Sequence, residues 1–279
     1  MTPIHAAPRA LHWVFKVASR KATIPFYTDI LRMQTLRHEE FQKGCEAACN
    51  GRYDGAWSKT MIGYGSEDDH FVVELTYNYP ITYYDLGNDF VGIDISCKSL
   101  ASKMALYAPD GFRFNLLPSR SSFPEQTEER VVRKITLAAT DLDRTAAFWT
   151  AVLDLDVDHK SDETLVLVTT SEPIFRIAFD KKQEVRHAES YGRIAFAVQD
   201  VKQGKYEERA VQHGGSVLTP FVQLDTPGKA SVHVAILGDP DGYEICVVGD
   251  AGFRELSCID PQGQTLLEDA MKSDRSRKE

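Results

Sequence analysis

"LHWVFKVASRKATIPFYTDILRM", residues 11 to 33, reads as a strand, a polar turn and then a helix. "RKITLAATDLDRTAAFWTAVLDL", residues 133 to 155, repeats that order. Each segment opens on alternating apolar and polar residues and then shifts to apolar positions at i, i+3 and i+4. The first helical stripe is Ile24, Tyr27, Ile30 and Leu31; the second is Ala146, Trp149, Val152 and Leu153. Phe26-Tyr27 falls on Phe148-Trp149 at an offset of 122 residues, which sets His12 against Lys134. A strand–helix unit met twice in this way predicts an internal duplication.

The surrounding sequence extends the match. Strand-like runs follow each helix: "TMIGYG" and "HFVVELTYNY" in the first half, "TLVLVTT" and "PIFRIAFD" in the second. A further strand starts at "DFVGIDIS" (89–96) and again at "YGRIAFAV" (191–198). Each half closes on one kind of turn, "APDGF" at 108–112 and "DPDGY" at 239–243, where proline presets one φ and glycine supplies a positive φ. These elements predict an α+β fold of paired βαβββ modules. About a dozen residues separate "GIDI" from the first turn, too few for a helix and its return strands, so the second module is expected to be truncated, lacking its helix near 97–108. The same interval in the last module is longer and includes the helical "KYEERAVQHGG" with a glycine stop. The expected boundaries are 5–117 and 131–255 for the two halves and 256–279 for a C-terminal helix and tail. Residues 118–130 read as a linker and "SDRSRKE" as a disordered end.

The 279 residues carry 32 basic and 41 acidic side chains, a net charge of −9, which disfavours nonspecific binding to nucleic acid or anionic membranes. No apolar run approaches the roughly 20 residues of a membrane span. The N-terminus lacks a signal-peptide core and is short for a transit peptide. The expected location is cytoplasmic or mitochondrial. Five cysteines, an odd number, predict free thiols in a reducing compartment. The spacing of Cys45 and Cys49 is not that of a zinc site. Asp225, Thr226, Pro227 and Gly228 read as a turn before Lys229, and neither a phosphate loop nor a hydrolase elbow is present.

Six stretches taken in order, "ALHWVFKV", "KTMIGYG", "HFVVELTYNY", "GNDF", "LDTPGKA" and "DPDGYEICVVGD", resemble the glyoxalase I branch of the vicinal oxygen chelate superfamily. The resemblance implies the glyoxalase/bleomycin-resistance/dioxygenase fold, in which paired modules curl around a divalent metal such as Zn²⁺ or Ni²⁺. It also implies a lyase acting on the hemithioacetal of methylglyoxal and glutathione, with glutathione as cosubstrate. Carried over by position, the metal ligands are His12 and Glu74, with Glu74 also the catalytic base. Lys16, Asn78 and Arg193 become substrate contacts. The other ligand positions fall on Phe90 and Asn115, Lys134 and Ala178, and Arg193 and Cys246, most of which cannot hold a metal.

Two further readings follow from those replacements. The chain is either such an enzyme or a metal-free pseudoenzyme whose cleft binds a small molecule or a protein. If the first and last modules share a cleft, Arg193 is expected to pair with Glu74 in the metal's place. An extradiol-type dioxygenase ranks lowest, because no second histidine falls on a ligand position.

Overall fold

The computed structural model describes residues 7–119, 129–224 and 231–276. The first module consists of β1 (Arg9–Lys16), α1 (Arg20–Pro25), β2 (Gln34–Phe41), β3 (Trp57–Gly63) and β4 (Val72–Asn78). The Ser19 hydroxyl caps α1 by accepting from the Ala22 amide. Pro25 has no N–H to continue the α-helical ladder, and the chain relaxes into a π-turn, Phe26–Ile30, closed by Leu31 N donating to Phe26 O at 3.0 Å. The expected stripe is therefore broken: Tyr27 and Leu31 are buried, but Ile30 is 50% exposed.

The second module has β5 (Phe90–Cys97), β6 (Met104–Tyr107) and β7 (Arg113–Pro118), with no helix among its described residues, in line with the short interval. The third has β8 (Arg130–Ala139), α2 (Leu142–Leu153), β9 (Asp156–Lys160), β10 (Thr164–Val168) and β11 (Arg176–Lys181). The Asp141 carboxylate caps α2 by accepting from the amides of Asp143 and Arg144. The fourth has β12 (Arg193–Val198), α3 (Tyr206–Gln212), β13 (Ser216–Leu224), β14 (Val232–Gly238) and β15 (Glu244–Gly249). Helices α4 (Asp250–Leu256) and α5 (Gly263–Ser273) follow.

Both sheets draw on both halves of the chain. One has eight strands in the order β13-β14-β15-β12-β1-β4-β3-β2, and the other has seven, β6-β7-β5-β8-β11-β10-β9. The seams are antiparallel: β1 against β12 joins the first and fourth modules, and β5 against β8 joins the second and third. A continuous apolar core including Trp13, Phe15, Phe114, Trp149, Phe179 and Phe196 connects the two sheets.

The two turns are structural equivalents. Gly111 and Gly242 take φ of 90° and 93°, and the closing bonds run from Ala108 N to Phe112 O and from Asp239 N to Tyr243 O. Asp110 accepts from Ala18 N and from the Thr23 hydroxyl, just beyond β1. Asp241 accepts from the amide and hydroxyl of Thr140, just beyond β8. Each turn thus fastens the first strand of the module before it.

The tail differs from expectation. Asp274 accepts from Arg20 Nη2 at 3.0 Å and from the Tyr77 hydroxyl at 2.8 Å, so "SDRS" is anchored by a buried arginine. The turn Asp225–Gly228 with Lys229, and residues 120–128 of the linker, lie outside the described residues.

Candidate functional site

Strand register brings the expected residues onto one face of the eight-stranded sheet. Val14 on β1 pairs with Glu74 on β4 on one side and with Arg193 on β12 on the other. Successive side chains alternate faces, so His12, Val14 and Lys16 share that face with Glu74, Asn78, Arg193 and Cys246. Trp13 and Phe15 point into the core.

At the centre, His12 Nε2 lies 3.6 Å from Glu74 Oε2. His12 Nδ1 is 2.7 Å from Glu67 Oε1. Glu67 itself is wholly buried, with Arg37 Nη1 2.6 Å from its Oε2. Burial would push the Glu67 carboxyl up, but the adjacent Arg37 and the bond from His12 outweigh it and hold it at about 2. Glu74 Oε1 also accepts from the Thr76 hydroxyl at 3.1 Å. Glu67 and Arg37 were not anticipated. Glu67 sits in "GSEDDH", an acidic run that reads as a solvated loop, and only the long-range contacts with β1 and β2 bury it.

The three expected substrate contacts are engaged within the protein. Arg193 donates from Nε and Nη2 to Glu244 Oε2 at 2.8 and 2.6 Å, and from Nη1 and Nη2 to the carbonyls of Ala47 and Ala48. Asn78 donates to Asn50 O and to the Tyr84 hydroxyl, and its Oδ1 accepts from Asn50 Nδ2 at 3.0 Å. Lys16 donates to Tyr191 O at 2.5 Å, with its ammonium 3.2 Å from the centroid of the Tyr191 ring. Burial lowers its pKa to about 7, against the pull of Glu244 and with the push of Arg193. The expected Arg193–Glu74 pair does not form. β1 lies between the two strands, putting them roughly 10 Å apart, whereas Glu244 on β15 is Arg193's direct neighbour.

One loop supplies the carbonyls that Arg193 meets and the Asn50 bonds to Asn78. Residues 44–51, between β2 and β3, lie over the cleft floor, with Ala47 buried against a cluster containing Ala195, Ala197, Val234 and Ile236. Cys45 and Cys49 are joined by a disulfide, contrary to the expectation of five free thiols; a tight turn closed by Ala48 N and Cys45 O brings their Cα atoms to 5.4 Å. Gly51 has φ of 83°, and a Cβ there would stand 2.7 Å from Lys16 Cε, so the loop's close approach requires glycine.

The chain is 46% identical to the mouse protein named glyoxalase domain-containing protein 4, over 97% of this chain and 95% of that one. It is 41% identical to the Caenorhabditis elegans protein named glyoxalase 1, over 97% and 98%. Residues 141–256 match the family described as glyoxalase domain-containing protein 4-like, C-terminal domain. The chain belongs to the glyoxalase domain-containing protein 4 family. The fold is that of the vicinal oxygen chelate superfamily: the crystal structure of glyoxalase I from Zea mays superposes with a TM-score of 0.70 at 21% identity, over 90% of this chain and 95% of that one.

In this glyoxalase domain-containing protein 4 relative, the donor set does not fit the superfamily's divalent metal. Among the described residues no group of three His, Cys, Asp or Glu side chains is placed to hold a metal ion. His12 and Glu74 offer two ligands, whereas zinc sites take at least three protein ligands. Of the other two positions in the cleft, Arg193 is cationic and bound to Glu244, and Cys246 is a free, partly buried thiol packed against the apolar cluster of Ala195, Val234 and Ile236. At the second pair of modules, Phe90 stacks on Trp13 and Lys134 pairs with Asp94.

Proposed function

We propose that the chain carries glyoxalase I-type chemistry, isomerising the hemithioacetal of methylglyoxal and glutathione in methylglyoxal detoxification. The carrying observation is the Glu67–His12–Glu74 array on the floor of the cleft. Glu67 fixes Nδ1 of His12 and so turns Nε2 toward Glu74. Glu74 takes the proton from the carbon bearing sulfur and returns it to the neighbouring carbonyl carbon. His12 Nε2 takes the hydroxyl proton and delivers it to the former carbonyl oxygen. Both protons then stay within the product thioester, and the two side chains end as they began. A ligand reaches Lys16, Asn78 and Arg193 when loop 44–51 lifts from the floor.

The test is S-lactoylglutathione formation by the full chain, with metal content measured on the same preparation. Glu74→Gln and His12→Asn are expected to reduce turnover about 100-fold or more. Equal turnover in Glu74→Gln and the parent would reject the assignment.

A second reading, a metal-free binding module, is favoured by the Arg193–Glu244 pair and by the loop seated on Asn78. On that reading an S-substituted glutathione binds to the full chain, and no turnover accompanies it.

A further inference from the structure

The seven-stranded sheet has a cleft of its own, formed by the second and third modules and unconnected with the His12–Glu74 chemistry. It holds an open hollow of about 220 Å³. That is smaller than the ~300–1,000 Å³ of drug-sized ligand sites, so it admits only a small molecule. The hollow has a simple origin. Gly92 on β5, Thr136 on β8, Ala178 on β11 and Val166 on β10 stand in one register across four strands, and their short side chains leave the middle of the face open.

The next row along the same face is polar and connected. Lys134 Nζ is 2.8 Å from Asp94 Oδ2. Asn115 Nδ2 donates to Asp94 Oδ1 at 2.8 Å, and Arg113 Nε donates to Asn115 Oδ1 at 3.1 Å. Asp94 therefore has a donor on each oxygen and its charge is balanced. The donors are in excess. Lys134 keeps two further N–H groups, and Arg113 keeps both terminal nitrogens, which have no other partner among the described residues. Lys103, on the rim, has no hydrogen-bond or ion-pair partner among the described residues. The far wall carries acceptor groups, Asp180 and the Thr164 hydroxyl, joined at 3.4 Å.

We infer that this second cleft binds a small oxyanion bearing hydroxyl groups, held by Arg113, Lys103 and Lys134 at one end and by Asp180 and Thr164 at the other. The free edge of a guanidinium matches a carboxylate or phosphate in a two-point contact. The Asn115 bond fixes the plane of Arg113, so the arginine is oriented before the anion arrives. Lys134, already paired with Asp94, offers its remaining protons at a fixed position. The opposing Asp180 disfavours a ligand that is anionic at both ends and favours one with hydroxyls there.

The experiment is calorimetric titration of the full chain with glycerate and, separately, with inorganic phosphate. Saturable binding of glycerate alone assigns a carboxylate ligand, and saturable binding of phosphate alone assigns a phosphate ligand; both support the site. Arg113→Ala is expected to weaken the binding more than tenfold. Lys103→Ala, at an exposed position that leaves the fold intact, is expected to weaken it severalfold, and melting temperatures of both variants check folding. Absence of saturable binding by either anion, or binding of equal strength in the folded Arg113→Ala and Lys103→Ala variants, overturns the proposal.

Discussion

Arg193 holds Glu244, its neighbour across β12 and β15, and not Glu74, which lies two strands away on β4. The ion pair and its two loop carbonyls form a partly buried unit between the fourth module and loop 44–51. Removing one member of a buried pair leaves the other charge without compensation. Arg193→Met is therefore expected to cost about 3 kcal/mol of stability, read by urea denaturation. A loss below ~0.5 kcal/mol, the range of an ordinary surface substitution, would show that the pair is solvated.

Lys16 sets a pH dependence. Its pKa is lowered from 10.5 to about 7 by burial. Between those values the unfolded chain binds the proton and the folded chain does not, so stability contributed by this residue rises with pH from about 7 toward 10.5. Below about 7 the folded state bears the full cost of a buried ammonium. Lys16→Met removes this component. The stability difference, parent minus variant, is expected to grow by up to about 1.4 kcal/mol per pH unit when denaturation is compared at pH ~7.5 and ~9. A flat difference would mean that Lys16 reaches water in the folded state.

Glu67→Gln leaves Arg37 buried without its counter-charge and loosens the hold on His12 Nδ1. A stability loss of about 3–5 kcal/mol is expected, with a further fall in turnover at temperatures where the variant remains folded. Unchanged turnover in folded Glu67→Gln would remove His12 orientation from the proposed chemistry.

Asn50 ties the loop to Asn78. Asn50→Ala is expected to lower stability by about 1–2 kcal/mol and to lower the KM for the hemithioacetal, because Asn78 and Arg193 come free more readily. If KM stays the same while stability falls, loop 44–51 is a fixed floor and not a gate.

Much of the architecture was legible in local patterns. The strand–helix repeat, the paired turns and the helix missing from the second module follow from apolar spacing, proline and glycine placement, and segment length. His12, Lys16, Glu74, Asn78 and Arg193 were also found to share one face, since a shared face follows from the twofold alternation of strands. The partners of those residues were not legible. Glu67 comes from an acidic loop, Glu244 is chosen by register between strands of different modules, and Asn50 reaches Asn78 through a turn. Each depends on distances between segments far apart in the chain, about which alternation and spacing are silent. The Cys45–Cys49 pairing escaped for a related reason: a count of cysteines says nothing about the turn that brings two of them together.

The seam between β1 and β12 has a consequence for how the molecule is made. Trp13 pairs with Ile194, so β1 acquires that neighbour only after the long stretch of chain between them has been made. Closing so long a loop carries an entropic cost that no local contact repays in advance, and folding of topologies rich in such pairings is slow. During synthesis, one edge of β1 stands without its partner, a surface open to pairing with other nascent chains.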